Sequence, residues 1–258
     1  MSTAGVELTE RYTQALDLAR TLHTEARKGG DVPYLAHLLS VSALVLEHGG
    51  NEDQAIAALL HDSAEDHGGE GRIEQLSARF GDAVAEIVRA CSDSLTEDKE
   101  NKQPWWPRKI AYIDALVHER PDAVPVSAAD KVHNARSILG DYRRMGDELW
   151  GRFNADAGRA GCLWYYTRLV EILCDRLAGT PAAELAAELR RTLDLICALV
   201  GDPAAAEIEA GREREATVRP RHPSPLTEGG RCRRRSAPRW SPPSRHSCRR
   251  SPPPLDAS

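Results

Sequence analysis

The stretch ALLHDSAEDH, Ala58–His67, sets an imidazole and several carboxylates directly behind an apolar run. The run IAALL, Ile56–Leu60, reads as the wall of a buried helix. Its continuation holds His61, Asp62, Glu65 and Asp66. On one continuous helix His61 and Glu65 are i and i+4, as are Asp62 and Asp66, and Asp62 and Glu65 are i and i+3. Like charges at these spacings repel, and carboxylates at a helix C-terminus oppose its dipole. No Lys or Arg lies between Asn51 and Gly71 to offset them. A divalent cation relieves all of these conflicts at once.

Two residues do not close a metal site, and further donors stand in two other segments. PYLAH places His37 at the start of a helix, after Gly29-Gly30 and Pro33. SAADKVHNARS places Asp130 on an apolar helical segment, where an unpaired carboxylate is costly. Taken singly, His37 reads as readily as a core or capping histidine, and Asp130 as a buried acceptor. Together with His61 and Asp62 they form a mixed nitrogen and oxygen set that suits Mn²⁺, Fe²⁺, Co²⁺ or Zn²⁺. Glu65, one helical turn beyond His61, can face such a cation without ligating it. A cation acidifies water and polarises a phosphoryl oxygen, and a neighbouring carboxylate accepts the proton or positions the water.

The surrounding chain has 258 residues, 41% of them hydrophobic, which suffices for a substantial core. No run approaches the ~20 apolar residues of a membrane-spanning helix. The N-terminus MSTAGVELTERYT has neither the basic nor the apolar region of a secretion signal. Six scattered cysteines without a CxxC pair read as thiols of a reducing compartment, hence a cytoplasmic location. From Leu8 to Val200 the 3.6-residue period predicts helix after helix: one from Glu10 through Lys28, a second ending at Gly49-Gly50, and a third capped by Asn51 and running through Asp66. Further helices are expected over 73–80, 83–90, 108–118, 123–139, 159–177 and 184–200. No alternating stretch predicts a strand, so the expected fold class is all-α.

The net charge of −5 hides an asymmetry, because Arg219–Ser258 carries ten Arg against Glu228 and Asp256 and leaves the body strongly acidic. Such a body is a poor nucleic-acid binder, and only the basic tail has charge suited to one. The Pro-, Arg- and Ser-rich tail lacks the aliphatics to offset its ordering entropy, so residues 201–258 are expected to be a disordered extension of a domain over 8–200.

In order and spacing, RKGGDVPYLAH, AALLHDSAED, FGDAVAEIV and SAADKVHNARS resemble the HD-domain metal-dependent phosphohydrolases. Within that group they resemble the hydrolase domain of the (p)ppGpp synthetase/hydrolases and the stand-alone small alarmone hydrolases. The resemblance covers about residues 10–178 and implies a helical bundle with a metal site between helices. It implies that His37, His61, Asp62 and Asp130 ligate Mn²⁺ and that Glu65 and Asp66 orient or deprotonate the attacking water. It further implies that Arg27 and Lys28 meet substrate phosphates, that Asn134 contacts the nucleoside, and that Tyr165 is a further contact to a nucleotide substrate. The loop RKGGDVPY is one residue longer than the usual pattern, and Trp105, Trp106, Trp150 and Trp164 stand near the site as core packing or as base-stacking groups. An HD-type 5′-nucleotidase and a non-catalytic nucleotide sensor remain as other readings of the same residues.

Overall fold

A computed structural model describes residues 5–96 and 103–219, and all of these belong to one compact unit. The described residues form helices and turns, with a lone bridge between Ala26 and Pro33 and no strand. The helices are α1 (Glu10–Leu22), α2 (Tyr34–Glu47), α3 (Glu52–Leu60), α4 (Ser63–Asp66), α5 (Gly69–Phe80), α6 (Asp82–Cys91), α7 (Trp105–His118), α8 (Val124–Met145), α9 (Gly158–Arg176), α10 (Ala183–Val200) and α11 (Pro203–Val218). A 3₁₀ segment, Gly146–Arg152, links α8 to α9. None of these helices is long and apolar enough to cross a membrane.

The local signals explain most boundaries. Asn51 and Gln54 cap α3 reciprocally: the Asn51 side chain accepts from the Gln54 N–H, and the Gln54 side chain accepts from the Asn51 N–H. Pro125 sits in the first turn of α8, where its missing N–H costs nothing, and Gly146 ends that helix with φ +59°. Helix α3 is buried along nearly its whole length, with Ile56, Leu59 and Leu60 fully enclosed. It packs on α2, which carries His37, and on α8, which carries Asp130, while His61 and Asp62 follow directly after its last residue.

Three expectations are corrected. The helix expected through Lys28 ends at Leu22, because His23 leaves helical geometry and buries its ring against Tyr34. The helix expected through Asp66 breaks at His61-Asp62. There the Ser63 hydroxyl donates to the Leu60 carbonyl at 2.6 Å and the His61 ring donates through Nδ1 to the Ala58 carbonyl at 2.9 Å, so side chains satisfy the end of α3. Glu65 and Asp66 therefore stand in the first turn of α4 rather than the last turn of α3. The boundary expected at Val200 also moves, since residues 203–218 are helical. The rest of the tail, from 220 on, lies outside the described residues.

Helix α11 packs on α9 through a polar lock. Trp164 Nε1 donates to Glu215 Oε2 at 2.9 Å, and both groups are buried. Gly211 lets the two backbones approach, because a Cβ there would overlap the Cβ of Trp164. Removing α11 orphans the indole N–H and strips cover from the ring, at a cost of about 3 kcal/mol. A chain ending at Val200 should thus melt about 6–12 °C below one ending at Arg219, as read by circular dichroism. Equal melting temperatures would show that α11 contributes nothing to the fold.

Candidate metal and nucleotide site

His37 comes from the first turn of α2, His61 and Asp62 from the break between α3 and α4, and Asp130 from α8. The four meet. His61 Nε2 lies 3.0 Å from Asp62 Oδ2 and 3.6 Å from Asp130 Oδ1. His37 Nε2 lies 3.3 Å from Asp130 Oδ1 and 3.8 Å from Asp62 Oδ2. Ligands bonded at about 2.0–2.2 Å to one tetrahedral ion stand roughly 3.3–3.6 Å apart, and the four imidazole–carboxylate distances fall within that range or on either side of it.

The hydrogen bonding tests whether a cation fits. His61 Nδ1 donates to the Ala58 carbonyl, while Nε2 is fully buried and has no hydrogen-bond partner. The 3.0 Å approach of Asp62 is thus an approach without hydrogen-bond alignment, as expected of two donors aimed at a common centre. Fixing one ring N–H on a backbone carbonyl is how metal-ligating histidines are oriented. Without a cation, burial works against the charged His61 ring, but Asp62 and Asp130 outweigh it and raise its pKa. Burial lowers that of His37. The donor set, two imidazoles and two carboxylates with an orphaned buried nitrogen, fits a divalent cation.

Around these ligands stands a ring of residues that orient them. Tyr34 donates its hydroxyl to Asp62 Oδ2 at 2.6 Å. Lys131 Nζ contacts Asp130 Oδ2 at 2.5 Å, and Asn134 Nδ2 donates to Asp130 Oδ1 at 2.5 Å. Burial opposes the Lys131 ammonium, yet Asp130 outweighs burial and raises its pKa well above the usual value. His133 places its Nδ1 2.8 Å from Nδ1 of His37. Burial and the neighbouring His37 and Arg27 push the His133 pKa down to about 4, so its ring is neutral and can accept. With His37 donating through Nδ1, its Nε2 is left to face the carboxylates.

The remaining predicted residues take distinct places. Arg27 Nη2 donates to Asn134 Oδ1 at 2.7 Å and stands over the Tyr34 ring, so the α1–α2 loop is tied to α8. Lys28 is exposed at the tip of that loop. Glu65 Oε2 accepts from the Asp93 N–H at 3.3 Å, and both Glu65 and Asp66 are half-buried. Tyr165 is buried on α9, its hydroxyl without a hydrogen-bond partner and Lys109 Nζ 5.1 Å from its ring centre. Trp105 and Trp106 pack with Trp164 and Tyr165 in the core, and Trp150 packs with Tyr142 and Phe153. Sequence reasoning missed Tyr34, His133 and Asp93. The first two lie inside quoted motifs, one in PYLAH and the other in KVHNARS, at positions facing a ligand only once the helices are placed.

An HD-domain family model matches residues 15–161. The human guanosine-3′,5′-bis(diphosphate) 3′-pyrophosphohydrolase MESH1 is 30% identical over 141 residues, spanning 53% of this chain and 72% of that protein. A guanosine-3′,5′-bis(diphosphate) 3′-pyrophosphohydrolase of Aquifex aeolicus (strain VF5) is 28% identical over 129 residues, 50% of this chain but 18% of its own length. A probable enzyme of the same name from Synechocystis sp. (strain ATCC 27184 / PCC 6803 / Kazusa) is likewise matched over 20% of its length, so the chain spans about a fifth of these longer relatives. Among solved structures, one described as a metazoan ortholog of SpoT that hydrolyzes ppGpp superposes with a TM-score of 0.55 at 23% identity. It covers 74% of this chain and 99% of the other, and it shares the fold.

The His37–His133 contact yields a test. Replacing His133 by Phe removes the acceptor that fixes the His37 ring while leaving the four ligands in place. Divalent-metal affinity should fall about 10- to 100-fold, read by competition with a chelating dye, with the helical spectrum unchanged. Unaltered affinity would mean that His133 does not orient His37.

Proposed function

Because the chain belongs to the HD-domain family, we propose that it is a metal-dependent phosphohydrolase that removes the 3′-pyrophosphate of (p)ppGpp or a closely related nucleotide. The observation that carries this reading is the convergence of His37, His61, Asp62 and Asp130 around a buried imidazole nitrogen with no other partner, flanked by the Glu65-Asp66 pair. The names of the relatives, MESH1 foremost, give the substrate class.

A divalent cation on those four residues, Mn²⁺ in this proposal, supplies positive charge for phosphoryl oxygens and acidifies water. The chain's own groups do the rest. Glu65 and Asp66 receive the proton of the attacking water or hold that water in line. The Asp93 N–H anchors one Glu65 oxygen. Asp93 is itself buried and held below the usual carboxylate range: burial opposes this, and Lys109 and Arg108, at 2.6 and 2.5 Å, prevail. Arg27 and Lys28 meet phosphate oxygens, and Asn134, already bonded to Arg27, turns toward the ribose. Tyr165 is a further substrate contact in this proposal. A cytoplasmic location and a part in the stringent response belong to the same proposal.

Two outcomes check it. With Mn²⁺, ppGpp should yield GDP and pyrophosphate, separated by anion-exchange chromatography. Release of orthophosphate from nucleoside monophosphates, with ppGpp left intact, would instead favour the 5′-nucleotidase reading. Glu65→Gln with Asp66→Asn should keep the metal and lose about 10²–10⁴ in turnover. Arg27→Ala should chiefly raise KM, because a phosphate contact equally good in ground and transition states acts on binding. A near-normal rate in the double variant would remove Glu65 and Asp66 from the chemistry.

A further inference from the structure

One face of α8 leads away from the four ligands toward a cluster of arginines. Asp130, Asn134 and Asp141 stand on the same side of this helix, because four and eleven residues are close to whole numbers of turns. At 1.5 Å per residue, Asp141 lies about 16 Å along the axis from Asp130. The α1–α2 loop follows that face. Arg27 Nη2 donates to Asn134 Oδ1 at 2.7 Å. Two residues on, the Arg152 guanidinium lies so close over Gly29 that a Cβ there would fall 2.5–2.7 Å from its atoms. Gly29 itself is exposed and has φ +80°, a conformation that favours glycine. Arg152 ends the 3₁₀ segment, and its Nη1 stands 3.4 Å from Asp141 Oδ2.

The positive charge at this end of the face is not cancelled. Asp141 also accepts from Arg144 through Oδ1, so two arginines share one carboxylate. Arg27 is paired with a neutral amide, and Lys28 is exposed next to Gly29. Asp31, the acidic residue of the loop, takes part in no ion pair among the described residues. Arg152 is thus held from below by backbone and at one edge by a shared carboxylate, with its side chain 29% exposed. A guanidinium oriented in this way and open on one side presents its fork to a phosphate.

We propose that Arg152 is a specificity residue that takes the 5′-phosphates of the substrate. The assignment rests on the hydrolase reading above and adds the direction in which the nucleotide lies. Its 3′-pyrophosphate meets the cation on His37, His61, Asp62 and Asp130, its ribose meets Asn134, and its 5′ end lies further along α8 at Arg152. A nucleotide phosphorylated only at the 3′ end leaves Arg152 without a partner. The site therefore prefers a substrate that carries phosphates at both ends.

The test compares ppGpp with guanosine 3′-diphosphate, which lacks the 5′-phosphates. With Mn²⁺ and full-length protein, wild type should show the lower KM for ppGpp. Arg152→Ala should raise KM for ppGpp about 10-fold and leave kcat nearly unchanged, since the lost contact is remote from the reacting bond. KM for guanosine 3′-diphosphate should not move. Arg152→Lys keeps the charge without the fork and should fall between wild type and Arg152→Ala. A loss shared by both nucleotides would show that Arg152 only shapes the loop, and no loss for either would show that it meets no phosphate; each result overturns the assignment. If wild type cleaves neither nucleotide, the hydrolase reading has failed, and calorimetric binding of the same two nucleotides decides the role of Arg152. Tighter binding of ppGpp that is lost in Arg152→Ala supports it, and equal binding or none overturns it. Circular dichroism checks folding, and Arg152→Gln replaces the alanine variant if that one does not fold.

Discussion

A buried imidazole nitrogen with no hydrogen-bond partner, His61 Nε2, is the constraint around which the described structure is arranged. Its other nitrogen is committed to the Ala58 carbonyl, so the ring cannot turn away. For it to face carboxylates from two directions, α3 must stop at Leu60, α2 must present His37 in its first turn, and α8 must bring Asp130 alongside. Each of these conditions is met by a local device: the Ser63 and His61 side chains at the end of α3, Pro33 before α2, and Pro125 opening α8. The enclosed apolar faces of α3 and α8 then hold the three segments at a fixed spacing.

The cations near the candidate site of this acidic body are disposed in layers. Lys131 neutralises Asp130 from within the core and also faces the Tyr112 ring at 5.1 Å, so its charge shapes Asp130 rather than meeting solvent. Arg108 and Lys109 are both spent on Asp93. Arg27 is different, because its partner is the neutral amide of Asn134. Its positive charge is therefore oriented but not cancelled, as the proposed phosphate contact requires.

Much of this was legible in the sequence. The all-α class followed from unbroken 3.6-residue periodicity, and the HD-domain resemblance followed from four motifs in order. What the sequence hid has physical reasons. The apolar stripe of α1 continues to Ala26, so periodicity alone carries the helix past Leu22; only the burial of His23 against Tyr34 stops it. The break at His61-Asp62 is invisible because both residues keep helical backbone angles. Helix α11 is poor in apolar residues and was read as tail, yet a glycine-enabled close approach and one buried Trp–Glu bond hold it down. His133 and Tyr34 hid for a further reason: their roles depend on contacts between helices far apart in sequence, 96 residues in the case of His37 and His133.

The RKGGDVPY loop is anchored at two points. Gly29 adopts φ +80°, a conformation that favours glycine, and a Cβ there would fall 2.5–2.7 Å from the Arg152 guanidinium. The loop thus lies flat beneath an arginine delivered by the 3₁₀ segment after α8, and Arg152 in turn stands 3.4 Å from Asp141 at the C-terminal half of α8. On one side of the loop Arg27 is pinned to Asn134, and at its tip Gly29 is pinned under Arg152. Both anchors lead back to α8, the helix that supplies Asp130. The loop is therefore held at two points by contacts that run to the same helix that supplies Asp130 to the candidate site.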